Sequence, residues 1–280
     1  MQPPLYRLMV ILTRELCTLD PLETARLAIA GGADAIQLRE KKMSTTERLN
    51  WGRELHALCQ SKGVALIIND DLDCALALGA TGAHVGQDDM HPEDVRKVAR
   101  LSGRDDFVIG LSTHDLEQLD EAAEFGVDYA GFGPVFASPT KNYTQGLGPE
   151  YLAAALAIAR VPVIAIGGIA PENAWMIAKQ AGMAVSSAIC GSQNPEETIR
   201  RSLIRAYPNF MRLTTLRPFL TAAVLTAGVF SANTASAQDT VDVGQTLDYT
   251  FRSAPFAATG QQSIADMRGK PVFIEWWGTR

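Results

Sequence analysis

Eight short apolar runs, most of them rich in β-branched or aromatic residues, recur along this 280-residue chain, and most end in polar residues or glycine. They read YRLMVILT, AIQLRE, ALIIND, AHVGQ, FVIGLST, YAGFGPVF, PVIAIGG and AVSSAIC. Runs of that length bounded by turn residues are strands. Between them lie amphipathic segments such as TTERLNWGRELHALCQSKG, HPEDVRKVARLSG, DLEQLDEAAEFG and PENAWMIAKQAG, opening on a Ser, Thr, Asp, Asn or Pro signal and several closing on Gly, which are helix start and stop signals. Eight strand–helix units in about 200 residues predict an α/β fold, a (β/α)8 TIM barrel near its lower size limit. A doubly wound open sheet shares the alternation, but the G-x-G-x-x-G turn it would carry after its first strand is absent.

Charge narrows the partners. Of 25 basic and 31 acidic side chains, six and five lie beyond residue 210, so the barrel segment carries 19 basic groups against 26 acidic ones. That balance argues against nucleic acid, while a few local cations and backbone N–H groups can still bind a small polyanion. Cys17, Cys59, Cys74 and Cys190 show neither C-x-x-C spacing nor histidine partners at zinc spacing. They are expected as reduced thiols of a cytoplasmic enzyme, without disulfide or zinc.

In such a barrel the residues just after each strand converge on one mouth. Asn69, Asp70 and Asp71 follow the third run, and Gln87, Asp88 and Asp89 follow the fourth, so carboxylates from adjacent strands become neighbours. Paired acids of this kind suit Mg²⁺, with Asp70 and Asp89 as its ligands, whereas Asp71 is expected to cap the next helix. After the second run, QLREKK turns Gln37, Arg39 and Lys41 to one side as an anion clamp. After the sixth, Ser138, Thr140 and Lys141 offer hydroxyls and an ammonium to a phosphate. Gly167 and Gly168 after the seventh run, with Ser186 and Ser187 in the eighth, occupy the usual phosphate position of such barrels. His84 reads as a packed core residue, and His56 and His91 as helical or surface positions.

QLREK, IIND, HVGQDD, GLSTH, PTK, IGGI and SAI, in that order and each at a strand end, resemble the thiamine-phosphate synthase family over roughly residues 5–206. The resemblance implies a transferase that joins a pyrimidinyl-methyl diphosphate to a phosphoethyl thiazole and releases pyrophosphate. It implies Mg²⁺ on Asp70 and Asp89, with Arg39, Lys41, Asn69 and Lys141 on the diphosphate, and Gln37 and Ser112 facing the pyrimidine. The thiazole phosphate would meet Ser138, Thr140, Gly168, Ser186 and Ser187, and Arg39, Lys41, Ser112 and Lys141 would be the catalytic set. Ser138 stands where the family often has Thr, and Ser186 where it often has Val or Ile. No Ser-His-Asp or Cys-His arrangement is visible, consistent with a dissociative route that needs no nucleophilic side chain. His114 keeps an alternative open, a thiazole tautomerase on the same barrel, in which a histidine at the mouth moves a proton.

Residues 1–210 are expected to form the barrel domain, and the remainder is of another kind. Residues 211–238 read MRLTTLRPFLTAAVLTAGVFSANTASAQ, with a basic start, a short apolar run and an A-x-A site, the form of a secretory signal peptide. Residues 239–280 end in GKPVFIEWWGTR, which resembles the strand leading to a thioredoxin-like site and stops where C-x-x-C would follow. A membrane tether, a redoxin fusion and a reading-frame junction are the three readings, and the apolar run is short for a bilayer. The junction reading is favoured, with no membrane role for the barrel.

Overall fold

Apolar runs buried on both faces set the architecture in a computed structural model that describes residues 5–138, 144–177 and 181–208. The expectations for Thr140, Lys141 and residues 211–280 lie outside the described residues. The strands are β1 (Leu8–Leu12), β2 (Ala35–Leu38), β3 (Ala65–Asn69), β4 (Gly82–Val85), β5 (Val108–Thr113), β6 (Tyr129–Phe132), β7 (Val163–Ile166) and β8 (Gly182–Val185). Each pairs in parallel with the next, and β8 returns to β1 through Leu8↔Met183, Met9↔Ala184 and Val10↔Val185. The sheet therefore closes as the expected eight-stranded barrel.

Alternate residues serve two cores. Leu8, Val10, Leu12, Ile36, Leu38, Leu66 and Ile68 point outward into the layer shared with the helices, while Met9, Ile11, Ala35, Ile67, Tyr129, Ile164 and Ala184 fill the barrel interior. The helices are α1 (Pro21–Gly31), α2 (Thr45–Lys62), α3 (Leu72–Leu78), α4 (Pro92–Leu101), α5 (Leu116–Glu124), α6 (Pro149–Ile158), α7 (Ser187–Cys190) and α8 (Pro195–Ala206). Proline opens α1, α4, α6 and α8, and Asp20, Ser44, Asp71, Asp115 and Asn194 cap first-turn N–H groups. The Asp71 cap, with Cys74 N–H donating at 2.9 Å, matches the expectation for that residue. Asp71 also pairs with Arg48 of α2.

Two segments differ from the sequence reading. AVSSAIC was expected as strand, but β8 ends at Val185 and Ser187–Cys190 coils into α7. Ser186 leaves the strand conformation at φ −118° and ψ −87°, and its carbonyl accepts from the Ile189 and Cys190 amides. Within the described residues, PENAWMIAKQAG holds a single 3₁₀ turn, Ala174–Met176, in place of an amphipathic helix. Asn173 explains the turn: its side-chain oxygen accepts from Ala170 N–H and its amide donates to Gly168 O, both at 2.8 Å, which ties the chain back towards β7.

The amino-terminal end of the barrel is held by paired charges. Asp34 accepts from the Arg7 guanidinium at 2.7 Å and from the Arg7 and Leu8 amides. Arg96 meets Asp128 at 2.7 Å. Both clamps serve stability on the face that such barrels do not use for chemistry.

Glycine in the barrel interior makes room for bulk on the next strand. A Cβ at Gly110, in the middle of β5, would overlap the Tyr129 ring and His84 Nδ1. Gly110→Ala is expected to lower unfolding free energy by about 1–3 kcal/mol through overpacking, measured by urea denaturation. An unchanged midpoint would mean that the interior has slack there.

Candidate active site

The carboxyl ends of the strands surround a cavity of about 100 Å³. Gln37 and Arg39 from β2 and its exit, Asn69 from β3 and Ser112 from β5 line it, and Ser138, Gly168, Ser186 and Ser187 complete the opposite wall. All eight were singled out in the sequence. Met9, Ile11, Ile164 and Ile166 supply its apolar floor.

Lys41, Asp70 and Asp89 are not among the cavity walls; they meet beside it. Lys41 Nζ lies 3.8 Å from Asp70 Oδ2, and Asp89 Oδ2 accepts from Gly86 N–H at 2.7 Å. Asp70 holds a left-handed backbone at φ 63°, uncommon outside glycine, while its amide donates to His84 O at 2.8 Å on the neighbouring strand. Burial, then the hydrogen bond and charge of Asp89, push the Asp70 carboxyl above the usual carboxylate range, with Lys41 and Arg39 pulling the other way. A cation placed between the two acids would offset that like charge. Among the described residues no group of three or more His, Cys, Asp and Glu is arranged as a metal cage. A two-carboxylate oxygen set of this kind fits a cation that keeps its own waters and takes further oxygens from a ligand, which is the habit of Mg²⁺.

Beneath the acids runs a hydrogen-bonded chain that sequence reasoning did not assign. His84 is buried in β4, as expected, but its ring is not mere packing. Nε2 lies 2.9 Å from Ser112 Oγ and Nδ1 lies 3.0 Å from Tyr129 Oη. Burial holds the Tyr129 phenol neutral, its pKa pushed well above the ordinary value, and Gln37 bonds its oxygen. In a neutral imidazole only one nitrogen carries hydrogen. Tyr129 and Ser112 therefore take opposite donor and acceptor roles towards His84, and the direction of that chain sets whether Ser112 offers a proton or a lone pair to the cavity. Register made this chain legible in principle: Asn69, His84, Gly110 and Tyr129 pair in sequence across β3 to β6, so all occupy one inward-facing layer.

The remaining loops are locked onto one another. His114 Nδ1 donates to Gly133 O at 2.7 Å, and the ring, with its second nitrogen, lines the cavity. Gly167 and Gly168 have φ of 99° and 62°, and a Cβ at either would overlap the 134–137 backbone. Phe136 N–H donates to Gly167 O at 3.0 Å, so these glycines allow the β6 and β7 loops to cross closely as well as lining the cavity. Ser186 spends its hydroxyl on Ile11 O at 2.9 Å, which leaves its backbone to face a ligand. His56 lies within α2, and His91 is the N-cap of α4, both away from the cavity.

A family model described as thiamine monophosphate synthase matches residues 8–189. The chain belongs to this family. Thiamine-phosphate synthase of Chlorobium luteolum is 41% identical over 186 residues, covering 65% of this chain and 85% of that protein. Thiamine-phosphate synthase of Bacillus thuringiensis subsp. konkukian is 38% identical over 192 residues, covering 66% and 85%. Among solved structures, thiamine phosphate pyrophosphorylase from Pyrococcus furiosus superimposes with a TM-score of 0.65 at 32% identity, covering 73% of this chain and 96% of that one. A 3-hexulose-6-phosphate synthase, at 18% identity and a TM-score of 0.54, shares the fold alone. Family membership makes the chain a transferase enzyme of thiamine biosynthesis. No helix among the described residues is long and apolar enough to cross a membrane.

Removing the phenol tests the buried chain. Tyr129→Phe is expected to cost about 1–2 kcal/mol, the loss of one buried hydrogen bond, and to shift the ¹⁵N resonances of the His84 ring as its tautomer balance changes. Unchanged stability with unchanged resonances would show that the phenol does not govern His84.

Proposed function

We propose that this chain transfers the 4-amino-2-methylpyrimidinyl-methyl group from its diphosphate to the ring nitrogen of a phosphoethyl methylthiazole, giving thiamine phosphate and pyrophosphate, with Mg²⁺ as its metal. The observation that carries the reading is the rim. A carboxylate pair, Asp70 and Asp89, stands beside the cations Arg39 and Lys41, at the mouth of a cavity whose far wall is hydroxyl and glycine.

Each part has a task that its chemistry suits. Asp70 and Asp89 would hold Mg²⁺, which when bound neutralises charge on the departing diphosphate. Arg39, Lys41 and Asn69 bind the diphosphate oxygens, joined by Lys141 on the family pattern, and the fixed cations stabilise negative charge as the carbon–oxygen bond breaks. Gln37 and Ser112 orient the pyrimidine edge, with Ser112 directed by His84 and Tyr129. Ser138, Thr140, Gly168, Ser186 and Ser187 hold the thiazole phosphate so that its ring nitrogen meets the pyrimidine methylene. The new carbon–nitrogen bond needs no side-chain nucleophile, and the catalytic gain lies in positioning two bound partners away from water. Met9, Ile11, Ile164 and Ile166 supply the dry floor. We assign the reaction to residues 1–210 and to the cytoplasm, with residues 211–280 taking no part.

One observation favours a second reading. The second ring nitrogen of His114 could move a proton on a thiazole, which is tautomerase chemistry. The rim acids and cations serve no purpose in that reaction.

Supplied with both substrates and Mg²⁺, the full chain is expected to release pyrophosphate in a one-to-one ratio with thiamine phosphate. Asp70→Ala and Asp89→Ala are each expected to lower turnover by about 100-fold or more, the scale of losing a transition-state charge partner, while remaining folded by circular dichroism. Thiazole isomerisation without pyrophosphate release, abolished by His114→Ala, would establish the tautomerase instead.

A further inference from the structure

Two of the four cysteines meet at the side of the site. Cys17 follows the 3₁₀ turn Arg14–Leu16 that leaves β1, and Cys190 ends α7. Both thiols hang from the carboxyl end of β1: Cys17 Sγ donates to Thr13 O at 3.4 Å and Cys190 Sγ to Ile11 O at 3.6 Å. Their backbones are joined as well, with Thr18 N–H donating to Cys190 O at 2.9 Å and Thr18 Oγ1 to Gly191 O at 3.0 Å. A single main-chain hydrogen bond between the segments brings the two Cα atoms towards the roughly 4.4–6.8 Å that a disulfide spans. The two thiols also interact, and that contact pushes the Cys17 thiol up and the Cys190 thiol down. Cys59 and Cys74 differ, since both are buried under the helices and burial is the main cause raising their thiols, to about 12 and about 11.

We propose that Cys17 and Cys190 are a peroxide-sensitive dithiol whose oxidation to a disulfide weakens the Ser186–Ser187 wall of the site. Cys17 is half-buried and Cys190 wholly buried, so peroxide enters from the Cys17 side of the pair. One sulfur of the pair takes one oxygen from hydrogen peroxide; the O–O bond breaks, and sulfenic acid and one water result. The other sulfur then displaces that oxygen, its own proton leaving with it as a second water, and the S–S bond forms. Two thiols are oxidised and one peroxide is reduced.

The consequence follows from what the sulfurs hold at rest. Ile11 O accepts from Cys190 Sγ and from Ser186 Oγ, so one carbonyl anchors both ends of α7. Turning Cys190 towards Cys17 withdraws one of those bonds, and α7 is a single turn with Ser187 at its other end. The effect on turnover rests on the reading above, in which Ser186 and Ser187 hold the thiazole phosphate. KM for that substrate should rise about tenfold, within the penalty for displacing a binding group by a fraction of an ångström. KM for the pyrimidine diphosphate, bound from β2 and β3, should move less than about twofold by the same argument.

The test treats the reduced full chain with hydrogen peroxide and maps its peptides without reductant. The expected result is a Cys17–Cys190 linkage two hydrogens lighter than the free peptides, reversed by dithiothreitol, with the thiazole KM changed as stated. Cys17→Ser, outside the substrate-binding set, should keep basal activity and lose the peroxide response. Free thiols after treatment, a Cys17 sulfinic acid without a bridge, or a bridge that leaves the thiazole KM unchanged would each overturn the proposal. The peptide map needs no turnover, so a chain that made no thiamine phosphate would fail the functional reading separately.

Discussion

The parallel pairing of β8 with β1 is the constraint on which the site depends. Closing the ladder leaves no sheet edge, sends alternate side chains to the interior and to the helix layer, and brings all eight carboxyl ends to one mouth. Residues as distant as Gln37 and Ser187 then line one cavity. The interior layer Asn69, His84, Gly110 and Tyr129 exists only because the registers of β3 through β6 are fixed relative to one another.

That closed frame carries an arrangement that is unfavourable taken alone. Asp70 adopts a left-handed backbone, sits partly desolvated and faces a second carboxylate. The β3–β4 ladder holds it there through the Asp70 amide and His84 carbonyl, and Gly86 N–H holds Asp89. Strain and like charge are gathered at a strand end, with Lys41 and Arg39 pulling the other way, and this is the place proposed above for Mg²⁺.

Much of this was legible in the sequence for a stated reason. Buried parallel strands write themselves as apolar runs, and barrel topology turns polar residues at each strand end towards the mouth, which located Gln37, Arg39, Asn69, Asp70, Asp89 and the β7–β8 wall, while Ser112 came from the family resemblance. The β8 boundary was not legible, because AVSSAIC has strand composition and only the Ser186 conformation decides where the strand stops. The role of His84 was missed because an isolated histidine within an apolar run looks like packing; its partners, Ser112 and Tyr129, lie 28 and 45 residues away and become visible only through register. The dithiol was hidden in the same way, since nearly the whole barrel lies between Cys17 and Cys190 in the chain and only its closure brings them together.

The central claim is that the Asp70–Asp89 pair is held together against its own repulsion and is relieved by a cation. A folded-state carboxyl raised above its unfolded value costs stability once ionised, and the cost disappears as pH falls through the raised pKa. An asparagine in place of Asp70 would mimic the neutral form at any pH while tolerating the positive φ. The direct measurement is the melting temperature of Asp70→Asn against the unaltered chain near pH 7 in the presence of a chelator. The account predicts that the variant melts a few degrees higher, and that adding Mg²⁺ with pyrophosphate raises the unaltered chain alone and removes that lead. A variant that melts lower under chelation would contradict it.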